Sequence, residues 1–414
     1  MGNPLFAQDQ PAAPGRGDYL TLKIAVMGPG DELYFWWGHI ALVIEDALSG
    51  ESRFYDYGIF SFESENFFVN FAFGRLLYHC GVSPTDLSYN VYKRNNRDIR
   101  VYTLDLPARK KEELRAFAEW NILPENRNYF YHHFYDNCAT RIRDIIDLGV
   151  DGQFKARFGE APGRYTLRQH IRRYMWFSPF FDWLLNFLMG QDIDKPITVW
   201  DEMFLPREIG DRIEDFSYRD PSGGERKLVS SLEVLNQAVN RPRILEAPTR
   251  QWPGGLALGI AVAAVFFLLI HRGKRGEGNA LAAVPSRVCL GIGQSLLGLF
   301  FGLVGLVLFF MTFFTDHDYT YHNSNIIYIN PLLLAAVPLG IILAASKHDP
   351  RRVRAGRLLR YLWTYVFFGG LLTMAIKLLP GFYQQNQLTQ ALVLPVALVL
   401  SVIGHKVHAK MCQR

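Results

Sequence analysis

The chain has 414 residues, of which 49% are hydrophobic, 14% aromatic and 20% charged. That gives room for two or three domains and excludes disorder, collagen and a small disulfide scaffold. The net charge of +5 hides a split: residues 252–414 carry 14 Lys and Arg against 4 Asp and Glu, whereas residues 1–251 carry 30 against 35. The basic excess sits in the second part alone, so no basic face for nucleic acid is apparent on the first.

In chain order, Leu5-Phe6-Ala7-Gln8 looks like the end of a signal peptide, with an ordinary disordered start as the alternative, and residues 1–18 stand outside any domain. Residues 19–27, 36–46 and 52–60 read as strands, with a turn at Ser49-Gly50-Glu51, and 97–106 as another. Leu114, Phe117, Ala118 and Ile122 share one side of a helix over 109–122. A second helix follows Asn137, where Ile142, Ile145, Ile146 and Leu148 recur at helical period. This is an α+β pattern, antiparallel strands then helices, and the domain is expected to run over 19–208. Within it, 164–208 is rich in aromatics but too interrupted to span a bilayer; it reads as core packing or as an interfacial segment facing lipid. Residues 209–251 are polar and read as helix plus linker.

Five apolar stretches follow Trp252, at about 254–270, 288–314, 327–346, 361–379 and 388–404. Each approaches the ~20 residues needed to cross a bilayer, so 252–414 is expected to be an all-α five-helix membrane domain. The segments after the first and third stretches and the tail hold thirteen Lys and Arg, from Arg272 to Arg414. The alternate loops, 315–326 and 380–387, hold none. That bias puts the C-terminus in the cytoplasm and, with an odd number of spans, residues 1–251 on the outer side.

Of four cysteines, Cys289 lies in a span and Cys412 at the cytoplasmic end, leaving Cys80 and Cys138 for outer chemistry. Cys138 follows Asp136-Asn137, either of which is a good N-cap, so it falls in a first helical turn where exposed N–H groups favour a thiolate nucleophile. A base is needed. His39 follows Gly38 on a strand and faces away from Ile40, Leu42 and Ile44, and Asp56 on the next strand can orient the imidazole. The expected catalytic set is Cys138, His39 and Asp56, with no cofactor and no metal. A Cys80–Cys138 disulfide would remove the nucleophile, and His132 and His133 are rival bases. Trp37, Tyr57, Asn137 and Arg141 flank the set as candidate substrate contacts; Arg141 and Arg143 read equally as ion pairs with Asp144 or Asp147.

The order His, Asp, Cys reverses that of ordinary papain-like enzymes. It resembles the circularly permuted papain-like group, the lecithin-retinol acyltransferase and NlpC/P60-like branch. WGHIAL around His39, YDYGIF at 55–60, DNCATRIRD at 136–144 and WDEMFLP at 200–206 resemble the Lnb family of lipoprotein N-acyltransferases along most of the chain. The Trp36-Trp37 pair before Gly38 departs from the ordinary residue expected there. The resemblance implies a permuted papain-like (NlpC/P60-like) periplasmic domain before inner-membrane helices, with Cys138 and His39 as the family's Cys and His. It implies transfer of a fatty acyl chain from a phospholipid donor to the α-amine of the diacylglyceryl cysteine of a diacylated lipoprotein, next to membrane lipid. A membrane-anchored thiol hydrolase (lipase, peptidase or cell-wall amidase) is the alternative. In the loop 315–330, His317, Asp318, Asn323 and Asn325 could contact a headgroup or the lipoprotein N-terminus, or the loop is simply solvated.

Overall fold

Alternating apolar residues build the central strands. In LTLKIAVM and HIALVIED, every second side chain points to one face of a sheet. The computed structural model describes residues 15–60, 66–275, 280–345 and 350–403; the expected signal-peptide remnant at Leu5–Gln8 lies outside them. The strands are β1 (Leu20–Met27), β2 (His39–Asp46), β3 (Glu51–Ile59), β4 (Leu77–Pro84), β5 (Ile99–Leu104), β6 (Asn128–Phe130), β7 (Ser217–Arg219), β8 (Glu225–Lys227) and β9 (Val229–Asn236). Among the described residues, seven form one antiparallel sheet in the order β6-β4-β3-β2-β1-β5-β9, and β7 pairs with β8.

Helices α1 (Phe67–Ala72), α2 (Thr85–Arg94), α3 (Ala108–Asn121), α4 (Cys138–Gly149), α5 (Gln153–Phe158), α6 (Leu167–Met175), α7 (Pro179–Leu188), α8 (Val199–Glu202) and α9 (Pro206–Ile213) are interleaved with them. Both faces of the sheet are covered. Leu22, Ile24, Ile40, Leu42, Ile44, Tyr55 and Tyr57 pack with Leu114 of α3, Ile142 and Ile145 of α4 and Ile209 of α9. Ala25, Met27, Ala41, Val43, Phe54 and Val101 pack on the other face with Tyr89 of α2. Each large aliphatic side chain buried this way contributes about 1.5–3 kcal/mol.

Three expectations change here. The strand expected from Trp36 starts at His39, because Leu33–Phe35 makes a 3-10 turn and Gly38 adopts φ +83°. The helix and linker expected over 209–251 give way after α9 to three strands, and β9 is a sheet edge. The domain expected over 19–208 is interrupted. One compact unit runs to Phe71 and takes Arg75–Tyr165 and Pro196–Arg243, while Ala72–Gly74, Thr166–Lys195 and everything from Ile244 form a second.

The second unit contains α10 (Trp252–Arg275), α11 (Ala280–Phe314), α12 (Ala336–Ala345), α13 (Pro350–Ile376) and α14 (Gln387–Leu398). Among the described residues, four segments are long and apolar enough to cross a membrane: Trp252–Gly273, Val284–Phe314, Ser324–Ala345 and Pro350–Ile376. The fifth expected span is the shorter Gln387–Ser401. Its ladder breaks at Pro395, which lacks an N–H, and Val399–Ile403 is wound as a π-helix. Arg351 to Arg360, expected in a loop, lie inside α13.

Segment 166–195 packs within this second unit, which settles its odd composition. Arg168, fully buried, donates to Asp194 and to the carbonyls of Asn186, Met189 and Gly190. Asn323 and Asn325, read above as headgroup contacts or solvated, are buried and donate to the carbonyl of Phe187. Their amides satisfy the end of α7, so loop 315–330 is architecture at these positions.

Candidate active site

His39 is positioned by register. Gly38 turns the chain with its Cα hydrogen where a Cβ would stand 2.7 Å from the Met27 carbonyl. His39 then opens β2, opposite Met27 of β1. Ala41 pairs with Asp56 of β3, and His39 lies two residues before Ala41 on the same face. The two side chains are therefore diagonal neighbours on one face of the sheet. His39 Nε2 lies 2.9 Å from Asp56 Oδ1, and the Gly58 N–H donates to the same oxygen at 2.8 Å. A Cβ at Gly58 would fall 2.8 Å from His39 Cε1, so glycine leaves the space the ring occupies.

Both groups are largely buried, with side chains 13% and 20% exposed. Burial by itself would lower the His39 pKa. The charge of Asp56, with smaller contributions from Tyr92, Cys138 and the Asp56 hydrogen bond, outweighs it and holds the imidazole well above its ordinary value. Burial would raise the Asp56 carboxyl, but His39 and the Gly58 N–H hold it below the usual carboxylate range. Both shifts favour the charged forms of the pair, and among the described residues His39 Nδ1 has no hydrogen bond.

Cys138 is the first residue of α4, which packs on β2 and β3. Asn137 is the N-cap: its Oδ1 accepts from the N–H groups of Ala139 and Thr140 at 2.8 and 2.9 Å, and its own N–H donates to Thr140 Oγ1. The Cys138 N–H carries no hydrogen bond among the described residues. Cys138 is 6% exposed, and it and Cys80 are both free thiols, so the alternative of a disulfide between them is not realised. No hydrogen bond joins Cys138 to His39 among the described residues.

The remaining expected residues are distributed differently. Tyr57 is buried in the core beside Cys80, and Asn137 spends its amide on α4 and on the carbonyls of His133 and Phe204. Arg141 pairs with Asp136, at 2.7 and 2.9 Å, rather than Asp144 or Asp147, and its guanidinium covers the Tyr129 ring at 3.7 Å. Arg143 does take Asp144, and it donates to the Trp200 carbonyl. The WDEMFLP stretch thus buttresses α4 through Trp200 and Phe204. Trp37 keeps a buried Nε1 with no partner. Of the rival bases, His132 accepts the N–H groups of Phe134 and Tyr135 and so holds its own turn, while the His133 ring lies edge-on to Tyr131.

Sequence reasoning missed Tyr92, Arg97 and Gly58. The Tyr92 ring stacks on His39 at 6.2 Å, and the Arg97 guanidinium lies over Tyr92 and Phe35 at 4.8 Å each. Tyr92 belongs to α2, whose weak apolar pattern gave no signal; Gly58 could have been found as the residue facing His39 in an antiparallel register.

The architecture is that of a membrane protein whose α+β domain carries a His–Asp pair and a thiol on a capped helix, and whose chain continues into a helical membrane domain. Residues 13–173 match the Lnb N-terminal periplasmic domain and residues 285–410 the Lnb transmembrane domain. The chain belongs to the Lnb family of lipoprotein N-acyltransferases, with its first domain periplasmic. No curated protein and no solved structure matches it.

Proposed function

We propose that the protein transfers a fatty acyl chain from a phospholipid to the α-amine of the diacylglyceryl cysteine of lipoproteins, through a Cys138 thioester. The observation that carries this reading is the buried His39–Asp56 pair together with a free thiol at the start of α4, a helix that packs on β2 and β3. The order strand-His, strand-Asp, helix-Cys supports a permuted papain-like core.

In the first half-reaction the Cys138 thiolate attacks the ester carbonyl carbon, a C–S bond forms, and the C–O bond to the glycerol backbone breaks. His39 gives its proton to the departing alkoxide. In the second, the lipoprotein amine attacks the thioester, His39 takes the amine proton, and the C–S bond breaks to restore the thiolate. The Cys138 N–H is free to stabilise the oxyanion in both steps. Asp56 holds His39 by Nε2, which leaves Nδ1 for these transfers. Exposed Phe68, Phe71, Leu77 and Phe130 on α1, β4 and β6 suit substrates that are amphiphiles. The inner membrane is the expected location, with a cytoplasmic C-terminus following from the charge bias.

The test is Cys138→Ser in a host lacking its own transferase. Folded protein with lipoproteins left diacylated supports the reading, and normal triacylation refutes it. Mass spectrometry of the trapped Cys138 adduct separates transfer from hydrolysis: a fatty acyl thioester is expected, and a peptidyl adduct would favour a protease or amidase.

A further inference from the structure

The second unit contains a cavity of about 440 Å³ that the thiol chemistry does not use. It lies where α10 and α14 begin, walled by α6, α7 and the segment before Trp252. This is the end of the bundle where the chain turns in loop 380–387, which is free of Lys and Arg. Two positive helix ends thus flank the cavity, and three charged side chains decide its character.

Asp182, fully buried, is held by Arg172 through Nε and Nη2 at 3.3 and 3.4 Å and by Asn186 Nδ2 at 2.9 Å. That pair is internally neutral and, among the described residues, leaves Arg172 Nη1 without a hydrogen bond. Arg250 also lines the cavity and has neither an ion pair nor a hydrogen bond among the described residues. The lining therefore carries one uncompensated positive charge, with two arginines able to donate to the same anion. Trp252 and Tyr383 line it too and are 45% and 49% exposed, as expected of side chains at a membrane–water boundary.

We infer that this cavity binds the phosphate of a phospholipid, Arg250 and Arg172 taking the phosphodiester while Trp252 and Tyr383 border its glycerol and acyl portion. One negative charge matches the one positive charge of the lining, and the volume lies in the range of small-molecule sites. Free phosphate shares the charge but has no use for the aromatic border, so the lipid is the favoured source. The site stands apart from acyl transfer, since all its residues lie in the second unit and none takes part in the thiol chemistry.

The experiment is native mass spectrometry of the delipidated full chain in detergent, titrated separately with phosphatidylglycerol, with diacylglycerol of the same chains, and with inorganic phosphate. Retention of phosphatidylglycerol but not diacylglycerol is expected, weakened about tenfold in Arg250→Gln. Arg250 is exposed and unpaired, so this variant keeps the fold; Arg172→Lys, which retains a charge for Asp182, gives an independent reduction. Equal retention by Arg250→Gln and the native chain overturns the inference. So does equal binding of diacylglycerol, which shows that the phosphate is not read, or equal binding of inorganic phosphate, which shows that the lipid is not. Cys138→Ser is expected to bind phosphatidylglycerol as the native chain does, so failure of lipid binding and failure of acyl transfer are seen separately.

Discussion

Two buried ion pairs show how the same forces serve different ends. In the second unit, Arg168 and Asp194 are both essentially unexposed, and the guanidinium directs every nitrogen to an acceptor, one carboxylate and three carbonyls. In the first unit, His39 and Asp56 are nearly as buried, but one imidazole nitrogen is left over. A saturated pair can only hold structure, because any displacement costs a desolvated charge. An unsaturated pair that can change protonation state is available for chemistry.

The comparison breaks most visibly on the saturated side. Asp194→Ala strands the Arg168 cation in a dry interior, and a loss of about 3–5 kcal/mol is expected. Thermal unfolding of the purified chain in detergent checks it: an unchanged midpoint would show that Arg168 finds water instead. On the unsaturated side, Asp56→Asn keeps an oxygen for His39 and for the Gly58 N–H but removes the charge. The pair's share of the stability should be lost, most of all between the ordinary carboxylate and imidazole values, and acyl transfer should fall about 10²–10⁴-fold.

The pH dependence follows with a definite sign. Asp56 raises the His39 pKa, so the imidazolium persists above its ordinary range. Its stabilising contribution is fully present below the ordinary imidazole pKa and is lost as pH rises through the raised one. The lowered Asp56 contributes above the ordinary carboxylate pKa and is lost as pH falls through its own. The pair is therefore most stabilising between the ordinary carboxylate and ordinary imidazole values. In Asp56→Asn, the alkaline limb of the rate profile should move to lower pH; a limb that stays in place would assign it to another group.

A smaller effect is expected at Gly58. Alanine there puts a Cβ 2.8 Å from His39 Cε1, which turns the ring without touching its charge partner chemically. Transfer should drop about 10²-fold through misplacement, with an unchanged pH profile, which distinguishes it from the loss of Asp56.

These positions also show what the sequence could and could not disclose. β1, β2, β3 and α4 were legible because their apolar residues recur at period 2 or 3.6 on a face that is buried. His39, Asp56 and Cys138 were legible because strand alternation and an N-cap fix their directions locally. β4, LYHCGVSP, mixes glycine, proline and polar residues and has no clean alternation. β9 is an edge strand exposed over most of its length, so its pairing with β5 leaves little apolar trace. The segment 166–195 was ambiguous for a related reason: its aromatics accompany buried arginine and asparagine, and the Phe187 carbonyl is met by Asn323 and Asn325 from more than a hundred positions away. Stacking of Tyr92 on His39 depends on tertiary contact alone.

The finest test of the comparison is between the two thiols of the first unit. Cys80 and Cys138 are both buried and free. Cys80 lies inside β4 against Tyr57, and burial pushes its thiol up to about 12, so at neutral pH it is protonated and unreactive. Cys138 heads α4, where the backbone N–H groups of a first helical turn favour a thiolate. Iodoacetamide at neutral pH should therefore label Cys138 and spare Cys80 in the native chain, read by peptide mass spectrometry. Cys80→Ser should leave transfer within about twofold while costing about 1–2 kcal/mol for placing a hydroxyl among apolar neighbours. Equal labelling of the two would mean that position on a helix start confers no reactivity here, and the nucleophile would have to be sought elsewhere.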